Sequence, residues 1–234
     1  MQFFIKSLLG LPFTPLADGW YFASVYEGSC GGFSRISIHT SILNKGFIPH
    51  EIHSHNEAEI FFVLAGALEV VNENTIKIPY TNNPIITEDG FVFFSSDYQH
   101  TLHAIGTVDA HYLVIRWKRD KKIDNPHAAF TVIQSQPTQF SENTQGFSVQ
   151  IIEELQNKTN NHIRAHYSQL STDAGYEYHK DHYDILMVLF EGSIEIVNRQ
   201  VSAPSIIFFA SGFPHNIKNP GNVPAKYIVF EMED

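Results

Sequence analysis

A chain of 234 residues can hold one large domain or two of about 110 residues, with a sizeable core. Only 17% of the residues are charged, 13% are aromatic, and the formal net charge is −10 with no basic block. That balance excludes nucleic acid and anionic membranes as expected partners, because their phosphates need Lys and Arg. The single cysteine, Cys30, excludes an intrachain disulfide framework and reads as an inert buried thiol.

Residues 1–32 read as a lead-in interrupted by Pro12, Pro15 and Gly31-Gly32. Lys6, Ser7 and Gly10 break its apolar patches, so no signal peptide is expected. No apolar run is long enough to span a bilayer, and a cytoplasmic protein is the expectation. Residues 33–43 alternate apolar and polar, as a half-buried strand does. Gly46 and Pro49 mark a turn. Residues 60–64 and 68–71 then predict a hairpin around Ala65-Gly66. Strands are also expected at 75–78, 91–94 and 111–117. Residues 118–126 are charged and unpatterned, and read as a linker. Beyond it a strand is expected at 129–134 and a helix at 147–156, and the strand pattern resumes from Asn161 to the end.

The stretch between the turn and the hairpin carries the chemistry. His53 and His55 stand two residues apart, and Glu59 follows four residues later. In an extended segment, residues of one parity share a face. Imidazole and carboxylate together suit a borderline divalent ion such as Fe, Mn, Ni or Zn.

The chain repeats itself. Residues 66–72 (GALEVVN) match 192–198 (GSIEIVN), residues 93–100 match 208–215, and residues 110–115 match 225–230. The last two matches share an offset of 115 residues, and upstream His53 falls on His179 and Gly66 on Gly192 at an offset of 126. The reading is a tandem duplication with its boundary near 118–128, giving an N-terminal half of 1–120 and a C-terminal half of 121–234. Short strands with turns in each half predict an all-β protein of two small antiparallel barrels or jelly rolls. In such a barrel, His100 on a later strand faces His53 and His55 and supplies a third nitrogen.

With His-x-His, Glu59, Gly66 and a second motif running from Gly90 to His100, the first half resembles a cupin, and the whole chain resembles a bicupin. The usual proline and glycine of the second motif are replaced around Ser96 and Tyr98. The resemblance implies two double-stranded β-helix barrels and one divalent metal in the N-terminal barrel, held by His53, His55, Glu59 and His100. It implies a broad range of activities: dioxygenases first, then isomerases and lyases, with sugar-binding or sensory domains as the alternative. Glu59 is also a candidate base. The second half departs from the pattern: His179 and His215 stand in place, Asp181 replaces the second histidine, and Ile185 replaces the glutamate. His179, Asp181 and His215 therefore form an altered set for a second ion, with His182 and Asp184 as substitutes if the register shifts.

Other residues carry weaker signals. His39 and His166 occupy corresponding places and read as strand positions or pocket walls; His50 and His103 flank the first site. Arg35 and Arg116 offer a bidentate partner for a substrate carboxylate, or surface ion pairs. Phe61, Val63 and Tyr112 share the inward parity of Glu59. Ile60, Phe62 and Leu64 point outward and would pair barrels, between halves or between chains as a homodimer. The expected partner is a small-molecule substrate.

Overall fold

The computed structural model describes residues 1–72, 83–119, 130–134, 141–142, 146–159 and 162–233. In chain order the strands of the first half are β1 (Phe3–Ser7), β2 (Thr14–Ala17), β3 (Trp20–Cys30), β4 (Phe33–Leu43), β5 (Ala58–Ala65), β6 (Ala67–Val71), β7 (Ile85–Thr87), β8 (Phe91–Phe94), β9 (Thr101–Ala104) and β10 (Ala110–Arg119). Then come β11 (Phe130–Ile133), β12 (Ser141–Glu142), β13 (Phe147–Ile151), the helix α1 (Glu153–Lys158), β14 (Ile163–Leu170), β15 (Gly175–His179), β16 (Asp184–Glu191), β17 (Ser193–Ile196), β18 (Arg199–Ser202), β19 (Ser205–Phe209), β20 (His215–Lys218) and β21 (Ala225–Met232). The chain is all-β apart from that one short helix among the described residues, and it forms two antiparallel barrels.

Each barrel has a large and a small sheet. In the N-terminal barrel a seven-stranded sheet, β11-β8-β5-β10-β4-β3-β2, faces the three-stranded β7-β6-β9. In the C-terminal barrel a seven-stranded sheet, β1-β19-β16-β21-β14-β13-β12, faces the four-stranded β15-β20-β17-β18. The barrels exchange strands. β1, from the start of the chain, pairs with β19 of the C-terminal barrel, and β11, beyond residue 120, pairs with β8 of the N-terminal barrel.

Three cores follow from strand alternation. One fills the N-terminal barrel (Phe61, Val63, Phe94, Tyr112 and neighbours), and another fills the C-terminal barrel (Met187, Ile207, Phe209, Tyr227). The third lies between the two large sheets and draws on both halves: Ile60, Phe62, Phe91 and Ile115 from one, Leu186, Val188, Phe208 and Phe230 from the other. Phe91 meets Phe230 edge to face at 5.2 Å, and Phe62 meets Phe190 at 5.7 Å. The outward residues Ile60 and Phe62 thus join the two barrels within one chain, with Leu64 packed at the margin. Asp184 adds a polar tie: its buried carboxylate accepts from the amides of Gly32, at the β3–β4 turn, and Ser211, after β19.

Several expectations need correction. The lead-in holds three strands. Residues 60–71 are not a hairpin, because β5 and β6 belong to different sheets and the chain turns the corner at Gly66. Gly66 has φ +79, and a Cβ there would stand 2.6 Å from the carbonyl of Asp109, so only glycine fits. Gly192 repeats this in the second barrel, with φ +79 and the carbonyl of Pro224 at 2.7 Å. The predicted helix at 147–156 is instead strand β13 followed by α1. Phe147 and Val149 alternate into the C-terminal core, and Ile152 and Leu155 bury against the core between the barrels. The strand predicted at 75–78 lies outside the described residues, as does most of the predicted linker. Among the described residues, no helix is long and apolar enough to cross a membrane.

Candidate metal centre

The backbone brings His53 and His100 together. His53 N–H donates to the His100 carbonyl (3.2 Å), and His100 N–H donates back to His53 (2.9 Å). Glu59 lies on β5, directly opposite Arg116 on β10. Ligand-type nitrogens of His53, His55 and His100 all lie within 4.8 Å of one another.

Hydrogen bonds fix which nitrogens are free. His100 Nδ1–H donates to the carbonyl of Tyr98 (2.9 Å) and His53 Nδ1–H to that of Glu51 (3.3 Å). Carbonyls only accept, so Nε2 of each neutral ring carries a lone pair aimed at the site. At His55, Arg116 donates from a terminal guanidinium nitrogen to Nε2 at 3.0 Å, which assigns the lone pair there too. Ring stacking holds His100 in place: Phe94 lies parallel to it at 4.0 Å. His50 packs edge-on to His53 at 4.1 Å, and its neighbour Thr101 donates to the His50 carbonyl.

Acceptors therefore crowd together. His53 Nε2 and His55 Nε2 are 3.1 Å apart, His100 Nε2 is 2.6 Å from Glu59 Oε1, and His55 Nε2 is 3.2 Å from that same oxygen. Glu59 is 1% exposed and His100 2%, and Glu59 Oε1 and His100 Nε2 have no satisfying hydrogen-bond partner among the described residues. Two lone pairs at 2.6 Å repel unless a proton or a metal ion stands between them. Nitrogens bound to one ion at about 2.1 Å stand about 3 Å apart when adjacent in its coordination sphere, close to the His53–His55 spacing. Three imidazoles and one carboxylate fit a divalent ion of the borderline class.

Electrostatics agree with that fit. Burial raises the pKa of Glu59, but contacts in the site, among them the charge of Arg116, outweigh it and hold the carboxyl well below its usual range. Arg116 donates to Glu59 Oε2 from Nε (3.1 Å) and from a terminal nitrogen (3.0 Å), leaving Oε1 for the site. For His53, burial and then the neighbouring imidazoles of His50, His55 and His100 lower the pKa to about 4, which keeps the ring neutral and able to ligate at neutral pH.

The C-terminal barrel repeats the scaffold with different groups. His179 and His215 are paired in register; His179 Nδ1–H donates to the Glu177 carbonyl (3.3 Å) and His215 Nδ1–H to that of Phe213 (3.1 Å). Phe209 stacks on His215 at 4.2 Å, as Phe94 does on His100. Asp181 Oδ2 is 3.3 Å from His179 Nε2 and 3.4 Å from His215 Nε2, and these three residues form a second ligand-like group. The substitutes stand elsewhere. Asp184 is committed to the amides of Gly32 and Ser211, and His182 is exposed and outside the group.

The other candidates separate. Arg35 makes surface ion pairs with Glu27 (3.0 Å) and Glu57 (3.7 Å), whereas Arg116 belongs to the site. His103 pairs with Glu69 (3.1 Å), outside the group of ligand nitrogens. His166 lines the C-terminal cavity beside Glu231, a residue that sequence reasoning missed. The signal was available: the match of 110–115 with 225–230, extended by one residue, sets Arg116 against Glu231.

No family model matches this chain, and no curated protein does. Solved structures do match. The Bacillus subtilis oxalate decarboxylase, described as having Mn(II) centres, is 15% identical, with a TM-score of 0.69 over 100% of this chain and 78% of that one. AerE from Microcystis aeruginosa is 11% identical, with a TM-score of 0.72 over 99% of both chains. A putative glyoxylate-induced protein from Pseudomonas aeruginosa is 14% identical, with a TM-score of 0.71 over 99% of this chain and 88% of that one. At these identities the likeness is one of architecture, and it agrees with the strand order and the paired motif histidines: the chain has the bicupin fold.

Proposed function

We propose that this chain is a metal-dependent bicupin enzyme acting on a small organic molecule, with one divalent ion held in the N-terminal barrel by His53, His55, His100 and Glu59. The observation that carries the reading is the buried approach of His100 Nε2 to Glu59 Oε1 at 2.6 Å, beside two further unprotonated nitrogens. A bound divalent ion supplies a Lewis acid for a carbonyl or enolate oxygen, or activates water. The protein's own residues do the rest. The Tyr98 and Glu51 carbonyls hold the His100 and His53 rings in the ligating tautomer. Glu59 balances the ion's charge and is ionised at neutral pH; a carboxyl held that far below its usual range is a weak base, so its part here is that of a ligand. Arg116 (side chain 28% exposed) fixes Glu59 and is the cation available to a substrate carboxylate. Oxidation of an enol-like or phenolic substrate is the first reaction class to test, and isomerisation or lyase chemistry the second.

The test is oxygen uptake and product formation across a panel of such substrates, with Mn(II)- or Fe(II)-loaded protein beside His53→Ala. Turnover by the wild type with a loss of at least about 100-fold in the variant supports the reading, since ligand removal outweighs the 10–100-fold cost typical of outer-shell changes. A second reading, a binding or sensory bicupin without turnover, draws on the C-terminal cavity, whose strand lacks the motif carboxylate. Tight ligand binding with no substrate consumed by either barrel would favour it.

A further inference from the structure

The C-terminal barrel contains a cavity of about 440 Å³, in the size range of small-molecule sites and far beyond the needs of one ion. Its walls are apolar and aromatic, with Phe147, Tyr176, Met187 and Tyr227 among them. Glu177, Asp181 and Glu231 also border it, and among the described residues no Lys or Arg does.

Strand register explains the excess of negative charge. In the N-terminal barrel Glu59 faces Arg116 across the β5–β10 pair, and the two neutralise each other. In the C-terminal barrel the equivalent pair is Ile185 and Glu231. Isoleucine stands where Glu59 does and a carboxylate stands where Arg116 does, so this carboxylate has no cation across the strand pair. Arg164 does donate to Glu231 Oε2 (2.8 Å), but it also pairs with Glu233 (2.7 Å), so one cation serves two carboxylates. Glu231 Oε1 is turned toward two cavity residues, the hydroxyl of Tyr183 (3.2 Å) and Nε2 of His166 (3.6 Å). Asp181, also in the cavity wall, has a buried Oδ2 with no hydrogen-bond partner among the described residues. Its nearest ring nitrogens are those whose Nδ1 protons are already given to carbonyls. The ring of Tyr183 already carries the Arg164 guanidinium at 5.0 Å.

We propose that this cavity is a second ligand site, independent of the N-terminal metal centre, for a small organic cation: an ammonium group held by Asp181 and Glu231, with its apolar body against the aromatic walls. A carboxylate ligand would meet like charge at Asp181 and Glu231 and a neutral one would leave Asp181 Oδ2 without a partner, so the charge of the ligand decides binding.

Benzylamine, benzyl alcohol and benzoate share one body and differ in charge. Calorimetric titration of the chelator-treated full chain with each should show benzylamine binding at least tenfold tighter than the other two. Glu231→Gln should weaken benzylamine to the level of benzyl alcohol, removing that preference. His53→Ala should keep it, which separates this site from the N-terminal reading. Equal binding of the three probes, a preference that survives Glu231→Gln, or its loss in His53→Ala would each overturn the proposal. If benzoate overtakes benzylamine once Mn(II) is added, an inorganic ion is the cation the cavity takes, and the proposal fails. Should Glu231→Gln not fold, Ile185→Phe fills the cavity without touching its charge. It should abolish binding of both benzylamine and benzyl alcohol, and retained binding would place the ligand elsewhere.

Discussion

At the scale of the residue, the fate of a charge depends on the neighbour the register gives it. His39 on β4 is a case outside the ligand set. Burial first, and then the positive charge of Arg116, lower its pKa from 6.5 to about 4; the charge of Glu59 opposes this only in part. The depressed value fixes the sign of a pH effect. Between about pH 4 and 6.5 the unfolded chain binds a proton at this position that the folded chain refuses, so stability falls as pH drops through that window. Denaturant titrations across pH 4–6.5 should show a slope of stability with pH that is smaller by about one proton in His39→Gln than in the wild type. The ligand candidates were legible in the sequence because residue type and parity identify them. The roles of Tyr98, Glu51 and Phe94 were not, since a backbone carbonyl carries no side-chain signature and ring stacking depends on the barrel closing. Glu231 stayed hidden because it breaks the repeat instead of following it.

At the scale of the element, the legible strands are those that alternate over many residues. The strand at Phe33–Leu43 has the bounds expected from alternation alone. Residues 147–156 misled because Phe147, Val149, Ile152 and Leu155 mix a two-residue with a three-residue period. The chain changes structure between Ile151 and Glu153 to serve two different cores. β1 was illegible for another reason. It is a five-residue strand whose partner lies 200 residues away, and Phe3 and Phe4 signal burial without saying against what. Its contribution is testable. Phe3 stacks on Phe209 at 5.1 Å, Phe4 stacks on Phe208 at 5.4 Å, and β1 covers the edge of β19. Removing residues 1–7 should lower the melting temperature and raise light scattering on heating, because an apolar strand edge is then open to pairing between chains. A truncated chain as stable and as monodisperse as the full chain would contradict this role for β1.

At the scale of the whole molecule, the shared core and the two exchanged strands make the barrels one unit. Thermal unfolding followed by tryptophan fluorescence and by far-ultraviolet circular dichroism should give coincident single transitions. Trp20 and Trp117 both lie in the N-terminal barrel, so a barrel melting alone would separate the two signals. Phe62, with no exposed surface, contributes to the core between the barrels, and Phe62→Ala should cost about 3–5 kcal/mol of that joint stability in denaturant titration. The bicupin plan was readable from two blocks repeating at one offset, whereas the strand exchange that couples the halves crosses the repeat boundary and leaves no trace in it. Metal binding in the N-terminal barrel can be read from anomalous scattering at the manganese edge, using crystals of chain stripped of metal and given only Mn(II). A strong peak is expected there, bounded by His53, His55, Glu59 and His100 and lost in Glu59→Ala. No peak there in the wild type, or one confined to His179, Asp181 and His215, would contradict it.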